Sequence, residues 1–221
     1  MMLFYNRAPG IIGGDKAKAL REVEAIARID RAKGYMAQAR LAQEQAQRPP
    51  LEDLYKKAIE ANPDDYEAHI ALGNIYLGSN VRRFADAESH ARRALAIEPT
   101  RSSGHSVLAA AMAAGKRWDD LDRVLAAAER ANADDLAPYY VAGSILLRDG
   151  TDLPRAERCF RKYLTQEREG GQASHAAAQW RRGLVLEKAG RRAEAISALE
   201  TAVRLDPSFE AAKKDLKRMK G

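Results

Sequence analysis

Histidine, cysteine and acidic side chains are the residues that could carry chemistry in this 221-residue chain. The four histidines are His69, His90, His105 and His175. A zinc site on a helix needs two histidines a few residues apart, as in the HExxH motif, and no pair here has that spacing. The acidic residues are interleaved with basic ones, so they do not single out a catalytic pair. We therefore expect no metal ligands and no catalytic residues.

The single cysteine, Cys159, has no partner for an intrachain disulfide. It lies in the helix-like stretch RAERCFRKYL beside Phe160, a setting typical of a small packed thiol. The chain has no G-x-S-x-G nucleophile motif and no phosphate-binding P-loop. The glycine-rich stretch GIIGG at 10–14 neither follows a strand pattern nor precedes Lys-Ser/Thr. The sequence predicts a protein that is not an enzyme and binds no cofactor.

Composition favours closely packed helices over a sheet. Hydrophobic residues make up 46% of the chain but aromatic residues only 6%, and alanine is abundant. The net charge of +6 comes from interleaved acidic and basic residues, as on solvated helix faces. No apolar run approaches the roughly 18 residues of a membrane span, and the opening MMLFYNRAPG lacks a secretory signal pattern. We expect a cytoplasmic protein from the sequence as given, or a periplasmic one if a signal segment precedes Met1.

One 34-residue pattern occurs clearly twice, over 66–99 and over 176–209. Each copy reads as two amphipathic helices joined by a tight turn and ended near a proline. The order resembles the tetratricopeptide repeat (TPR), in which small residues at fixed positions let paired helices approach closely. The small residues are Gly73, Ala87 and Ala94 in the first copy, and Gly183, Ala195 and Ala202 in the second.

The resemblance is to TPR proteins of bacterial type. It implies an all-α fold, a right-handed superhelical solenoid of antiparallel helix pairs with about twelve helices. Before the solenoid we expect an irregular segment, or the remnant of a first helix, at 1–14. The solenoid itself is predicted over 15–220, as a half repeat at 15–30, repeats at 34–63, 66–99, 102–133, 136–167 and 176–207, and a cap helix at 209–220.

Three details of this assignment are specific enough to test. The first helix of the first whole repeat is predicted to run from Gly34 to Gln47. Tyr163 stands where the repeat expects alanine, and Arg182 stands where leucine is usual. These departures predict altered packing in the fourth and fifth repeats.

In the TPR family the first helix of each pair lines a concave groove, through its second, fifth, ninth and twelfth to thirteenth positions. Carried over to this chain, these positions include the small Ala110 and Ala113. Aromatic groove residues supply large contact area, basic ones bind carboxylates, and an asparagine hydrogen-bonds a peptide backbone. Trp180 has an alternative interpretation, in which it packs between neighbouring helices. The partner-binding candidates are Ile70, Asn74, Ser106, Tyr140, Ser144, Arg148, Trp180 and Lys188.

Other family positions predict packing rather than binding. His69 and His105 fall at the fourth position of a first helix, where the repeats carry a packing aromatic side chain. Relatives that grip the C-termini of chaperones use a lysine at the fifth position, where this chain has Ile70. We therefore do not expect that function.

The function implied by the resemblance is that of a non-enzymatic protein-interaction scaffold, which binds an extended peptide or a partner helix in its groove. The sequence does not identify the protein partner. Repeat arrays protect their ends with capping units, so the uncapped N-terminal edge also offers a route to oligomerisation.

Two other functions remain open at this point. One is an exported cell-envelope or transporter-associated subunit, because PGIIGGDKAKAL resembles a segment of exported TPR proteins. The other is a nucleic-acid-binding helical repeat, which the isoelectric point of 9.4 suggests. Against nucleic acid, the predicted groove has few basic residues and includes Glu67 and Glu187.

Overall fold

The structure is a computed structural model that describes residues 16–44, 51–167 and 173–221. The predicted irregular segment at 1–14, the GIIGG stretch within it and the predicted loose linker at 169–172 lie outside the described residues. Within the described ranges there are twelve α-helices and no strands. They are α1 (Lys16–Ile29), α2 (Arg31–Glu44), α3 (Leu51–Ala61), α4 (Tyr66–Tyr76), α5 (Phe84–Ile97), α6 (Ser102–Ala114), α7 (Trp118–Ala131), α8 (Ala137–Asp149), α9 (Leu153–Tyr163), α10 (His175–Lys188), α11 (Arg192–Leu205) and α12 (Glu210–Lys220).

The helices stack in chain order as an all-α repeat solenoid, which confirms the predicted fold class. Each helix from α1 to α12 packs against its neighbours in sequence. The first helices of successive pairs also touch one another, α4 against α6, α6 against α8 and α8 against α10. The first helices therefore form one layer and the second helices, α3, α5, α7, α9 and α11, form another. None of the described helices combines the length and apolarity needed to cross a bilayer.

Small residues set the short distances between helices, both within the first-helix layer and between the two layers. A methyl group added to Gly73 of α4 would lie 2.6 Å from Cγ1 of Val107 in α6. A methyl group on Gly183 of α10 would lie 3.0 Å from the Leu199 side chain in α11. Fully buried alanines such as Ala87 occupy the matching positions of the second helices. Larger side chains would force the helices apart, because cores packed this tightly cannot absorb extra atoms.

Helix α2 begins earlier than the sequence pattern predicted. The predicted start was Gly34, whereas the helix begins at Arg31 because the Asp30 carboxylate accepts a hydrogen bond from the Lys33 N–H at 3.0 Å. Gly34 serves a different purpose. A methyl group there would lie 2.5 Å from Cβ of Ala27, so Gly34 lets α2 approach α1. The predicted helix end beyond Glu44 lies outside the described residues.

Tyr163, the residue that departs from the alanine pattern, is buried between α9 and α10. Its hydroxyl donates to the Ala173 carbonyl at 2.6 Å, and its ring centre lies 5.1 Å from that of Tyr140. Leu136 and Ala178 complete the same apolar cluster. The larger side chain therefore fills space at this interface, and its hydroxyl holds Ala173, which precedes α10, in place.

A left-handed residue closes each of the four described turns between a first and a second helix. Positive φ angles occur at Arg82 (52°), Lys116 (57°), Gly150 (65°) and Gly190 (76°). The next N–H then bonds back to the first helix, as Arg117 does to the Met112 carbonyl at 2.9 Å. This hydrogen bond ends the helix in the Schellman manner. Glycine adopts the conformation freely, whereas arginine and lysine do so at a cost.

We therefore predict opposite effects for two substitutions at equivalent turn positions. Gly190→Ala should destabilise the protein by about 1 kcal/mol through backbone strain alone, since a methyl group there meets no atom within 4 Å. Lys116→Gly should leave stability unchanged or raise it by up to about 1 kcal/mol. Urea unfolding followed by circular dichroism measures both. Equal destabilisation by the two variants would contradict the conclusion that the positive φ angle strains Lys116 but not Gly190.

Four arginines at the starts of second helices tie each of these helices to the one before it. Arg117 shows the pattern: its guanidinium donates to Asp120 of its own helix at 2.6 Å and to Glu88 of α5 at 2.5 Å. The other three make the same pair of contacts, one with an acidic residue at their own helix start and one with the preceding second helix. We call this set the arginine ladder, and its members are Arg83, Arg117, Arg155 and Arg191.

The ladder holds its carboxylates in the charged form. Hydrogen bonds from Arg123 and Arg117 lower the pKa of Asp120, and a hydrogen bond from Arg191 lowers the pKa of Glu194. A carboxyl whose pKa is lower in the folded chain than in the unfolded chain stabilises the fold above its unfolded pKa. That contribution is lost as the pH falls through the folded pKa.

We predict that the thermal midpoint falls as the pH drops below about 4, the ordinary range of carboxyl groups. In Arg191→Gln the Glu194 carboxylate loses its hydrogen-bond donor. The thermal midpoint of this variant at pH 7 should therefore be lower than that of wild type, and its midpoint should fall less than that of wild type between pH 7 and pH 3. Thermal melts between pH 7 and pH 3 measure this. Arg204→Gln is the control, because the Arg204 side chain bonds the Thr201 hydroxyl instead of a carboxylate. Identical acid dependence in wild type and Arg191→Gln would contradict the role of the ladder.

Candidate functional site

Two adjoining cavities lie between the first helices α2 and α4, at the N-terminal end of the solenoid. Their volumes are about 430 Å³ and about 470 Å³, and they share Met36, Arg40 and Glu67. Because three residues belong to both, the cavities form one continuous surface. We call this surface the N-terminal groove. It is defined by Lys33, Met36, Arg40 and Gln43 of α2 and by Glu67, Ile70 and Asn74 of α4.

Helix periodicity places these side chains in register. Residues 33, 36, 40 and 43 are spaced three or four apart, as are 67, 70 and 74, so each set forms a stripe on one face of its helix. The Asp30 cap fixes the start of α2, and Asp65 fixes the start of α4 by accepting from the Ala68 N–H at 3.0 Å. Gly34 sets the position of α2 against the preceding helix. Two parallel stripes thus face the same space.

The floor of the groove is apolar and its walls are polar. Met36, Ala71 and Ile75 are partly buried there, and Ile70 is only 8% exposed. The Gln43 amide donates to the Tyr55 hydroxyl at 3.0 Å. Burial raises the pKa of Tyr55, so this hydroxyl stays protonated at neutral pH. A hydrogen bond between two neutral groups therefore orients the Gln43 side chain, which lines one wall of the cavity.

Most charges around the groove are already engaged. Glu67 accepts from the Arg101 guanidinium at 2.6 Å, and Lys33 pairs with Asp30 at 3.3 Å. The Arg40 side chain is exposed and has no ion-pair partner among the described side chains of residues 17–43, 51–167 and 173–221. Among these side chains, the Arg40 guanidinium is therefore the one charge of the groove lining that is left without an ionic or hydrogen-bonding partner.

Of the eight predicted binding residues, the structure brings Ile70 and Asn74 together in the N-terminal groove. Ser106 of α6 is half-buried, and its neighbours on the same predicted stripe do not reach the surface. Ala110 and Ala113 are each 1% exposed, because α6 is enclosed by α4, α5, α7 and α8. The prediction that these two alanines line an open groove is wrong.

Three further candidates lie on α8, where neighbours satisfy their polar groups. The Ser144 hydroxyl donates to the Tyr140 carbonyl at 2.7 Å. The Tyr140 hydroxyl accepts from Nε of Arg181 at 2.7 Å. The exposed Arg148 pairs with the adjacent Asp149 at 2.7 Å. Each of these three polar groups therefore has a hydrogen-bond partner within the chain.

Lys188 and Trp180 of α10 make contacts between repeats. The Lys188 ammonium donates to the Leu147 carbonyl at 3.2 Å, at the C-terminal end of α8. The Trp180 ring lies 5.4 Å from that of Phe209 in an edge-to-face arrangement, and its N–H donates to Asp215 at 2.8 Å. The structure thus places Trp180 between α10 and the α12 region, in agreement with the alternative interpretation of this residue.

Three residues of interest were absent from the predicted set. The Arg181 guanidinium lies 5.4 Å from the ring centre of Tyr140 and 5.5 Å from that of Trp180, so it joins the two aromatic candidates. Met36 and Arg40 were missed because the inward positions of α2 were not assigned. The sequence signal for α2 was present in Asp30, a typical helix cap.

The remaining reactive side chains have structural contacts. Nε2 of His69 donates to the Pro63 carbonyl at 3.1 Å, and Nε2 of His105 donates to the Pro99 carbonyl at 3.0 Å. Both histidines thus anchor the linker before their own helix, in agreement with the packing interpretation. Burial raises the pKa of the Cys159 thiol to about 12, so it is protonated at neutral pH.

Arg182, the second departure from the repeat pattern, lies beside the buried Glu157 of α9, at 3.4 Å. Glu157 also accepts from Arg191 of the arginine ladder. The polar residue is therefore accommodated by a charge network where the repeat usually has leucine.

Comparison with known proteins identifies the repeat family. Residues 54–89 and residues 176–209 each match a model of the tetratricopeptide repeat. A comparison with proteins of curated function found no match.

Several solved structures share the fold. A thermophilic TPR protein of Thermus thermophilus has a TM-score of 0.62 at 18% identity, covering 85% of this chain and 98% of that one. PilW, described as a type IV pilus biogenesis factor, has a TM-score of 0.67 at 17% identity, covering 93% of both chains. Yeast Tom70 has a TM-score of 0.66 at 19% identity, covering 93% of this chain and 43% of Tom70. At these identities the likeness shows the fold alone.

The contacts of Trp180 predict a structural role that can be measured. Trp180→Ala should destabilise the C-terminal end by about 3 kcal/mol, because it removes both the Phe209 ring contact and the Asp215 hydrogen bond. Amide hydrogens of α12 should then exchange faster, as followed by mass spectrometry. Trp118→Ala is the matched control and should leave exchange in α12 unchanged. Undiminished protection of α12 in Trp180→Ala would show that the tryptophan is free for another use.

Proposed function

Since the chain is a tetratricopeptide repeat protein, we propose that it is a non-enzymatic scaffold that binds a protein partner in its N-terminal groove. Its TPR fold suggests a protein-interaction scaffold. The partner contributes an extended peptide or a helix, since both present side chains at spacings that a stripe of helical residues can meet.

The observation that carries the proposal is the pair of cavities sharing Met36, Arg40 and Glu67. Their mixture of an apolar floor with a few polar groups is typical of peptide and ligand sites. By contrast, Tyr140 and Trp180 are held by contacts within the chain. The N-terminal end therefore offers more unengaged surface than the region the sequence favoured.

A nucleic-acid partner is not favoured. Binding to phosphates needs a surface with many unpaired basic residues. The members of the arginine ladder are all paired with carboxylates, and Arg218 of the basic helix α12 is paired with Glu187 and Asp215. These arginines are therefore already engaged by carboxylates within the chain.

An exported cell-envelope role is not favoured either. PilW is a pilus biogenesis factor, but its likeness to this chain is at the level of the fold. The same fold occurs in the Thermus thermophilus protein and in yeast Tom70. A shared solenoid does not carry a shared compartment or partner, because function in repeat proteins depends on the side chains of the groove.

The proposal predicts that filling the groove abolishes partner capture. Asn74→Arg places a long charged side chain in the 430 Å³ cavity and should reduce the recovered partner by at least about tenfold. The measurement is a pull-down from a lysate of the source cells with quantitative mass spectrometry. Asn80→Arg, the same change in the exposed turn after α4, is the control and should retain the partner. Equal recovery by wild type and both variants would place binding outside the N-terminal groove.

A further inference from the structure

We propose that the N-terminal groove selects an extended segment with an internal aspartate or glutamate between apolar residues, and that Arg40 binds the acidic side chain. This inference rests on the proposed function and adds the chemistry of the partner. It follows from the charge of the groove, the position of Arg40 within it, and the groups on either side.

The free guanidinium of Arg40 favours an acidic ligand. Glu67 pairs with Arg101, which also pairs with Glu98, Lys33 pairs with Asp30, and the Asp65 carboxylate accepts from the N–H of Ala68. Arg40 has no ion-pair partner among the described side chains of residues 17–43, 51–167 and 173–221. An aspartate or glutamate on the partner supplies the missing charge, and its two oxygens match the planar guanidinium in a paired hydrogen bond.

The position of Arg40 favours an internal acidic residue over a terminal carboxylate. Arg40 belongs to both cavities, so open space extends from it in two directions. One direction leads past Met36 to Ile26 and Lys33, and the other leads to Asn74 and Ile75. A chain whose carboxylate sits on Arg40 therefore continues both ways, whereas a terminal carboxylate would leave one cavity empty.

The dimensions of the groove suit a short extended segment. The α2 stripe from Lys33 to Gln43 spans ten residues of helix, about 15 Å at a rise of 1.5 Å per residue. An extended chain covers that distance in about five residues at 3.3 Å each. The central residue of such a segment lies near Arg40, with about two residues on each side.

The groups beside Arg40 define what flanks the acidic residue. Met36, Ile70 and Ile75 form an apolar floor that buries aliphatic or aromatic side chains. The exposed Asn74 amide has both a donor and an acceptor, which match the N–H and C=O of one peptide unit. Gln43 uses its NH₂ group on Tyr55, which leaves its carbonyl oxygen to accept a peptide N–H.

The test is a selection of peptides from a random library displayed on phage, performed with the full chain. Wild type should enrich peptides with an aspartate or glutamate between apolar residues. Binding of an enriched synthetic peptide should weaken by about 10- to 100-fold in Arg40→Glu, as expected for loss of a charge-assisted pair. The same peptide with lysine in place of its acidic residue should bind Arg40→Glu better than wild type.

The control is Arg161→Glu, which makes the same charge change at an exposed position of α9 outside the groove. It should bind the acidic peptide as wild type does. Amidating the C-terminus of the peptide should also leave the affinity unchanged, because the carboxylate involved is internal. Circular dichroism of each variant establishes that the helical content is retained.

The outcomes separate this inference from the proposed function. Enriched peptides that lack an acidic residue, yet are lost in Asn74→Arg, would overturn the acidic specificity and leave the scaffold function standing. If Arg161→Glu weakened peptide binding as much as Arg40→Glu does, the loss would reflect the overall charge of the protein, and the acidic specificity of the groove would again be overturned. Failure to enrich any peptide would overturn both. If the chain instead dimerises in a manner abolished by Arg40→Glu, the occupant is a second copy and the inference is wrong.

Discussion

The whole solenoid depends on how closely its helices approach one another. A methyl group would lie 2.6 Å from the Val107 side chain at Gly73 and 3.0 Å from the Leu199 side chain at Gly183, so the neighbouring side chain would have to shift in both places. This closeness lets an alanine-rich core gain dispersion energy without large side chains, because many atoms come into contact over a short distance. It also keeps successive first helices in register, so that stripes such as those of α2 and α4 face a common space.

Ion pairs connect consecutive helices in the second-helix layer, whereas close packing connects consecutive helices in the first-helix layer. Members of the arginine ladder such as Arg117 join one second helix to the next through pairs of carboxylates. Exposed ion pairs contribute little individually, but each of these arginines adds a contact between consecutive second helices to the packing of the alanine-rich core.

The two ends of the inner layer differ for physical reasons. Towards the C-terminus, Tyr140, Arg181 and Trp180 satisfy one another, and α12 covers the last pair. Near the middle, the enclosure of α6 buries the small residues that a groove would need. At the N-terminal end, α2 and α4 leave cavities around Arg40 that no described side chain fills. The proposed binding groove therefore lies where neighbouring side chains engage the fewest of the polar groups.

The sequence by itself determined the all-α solenoid, because small residues at fixed spacing and proline or asparagine stops are local features of each repeat. It also identified Ile70 and Asn74 as groove residues. It did not show that Ala110 is enclosed or that α2 begins at Arg31. Nor did it decide which polar groups are already engaged, since the partners of Trp180 and Lys188 lie 35 and 41 residues away along the chain. Those pairings exist only once the helices have stacked, so the tertiary structure alone decided that Arg40 has no ion-pair partner among the described side chains.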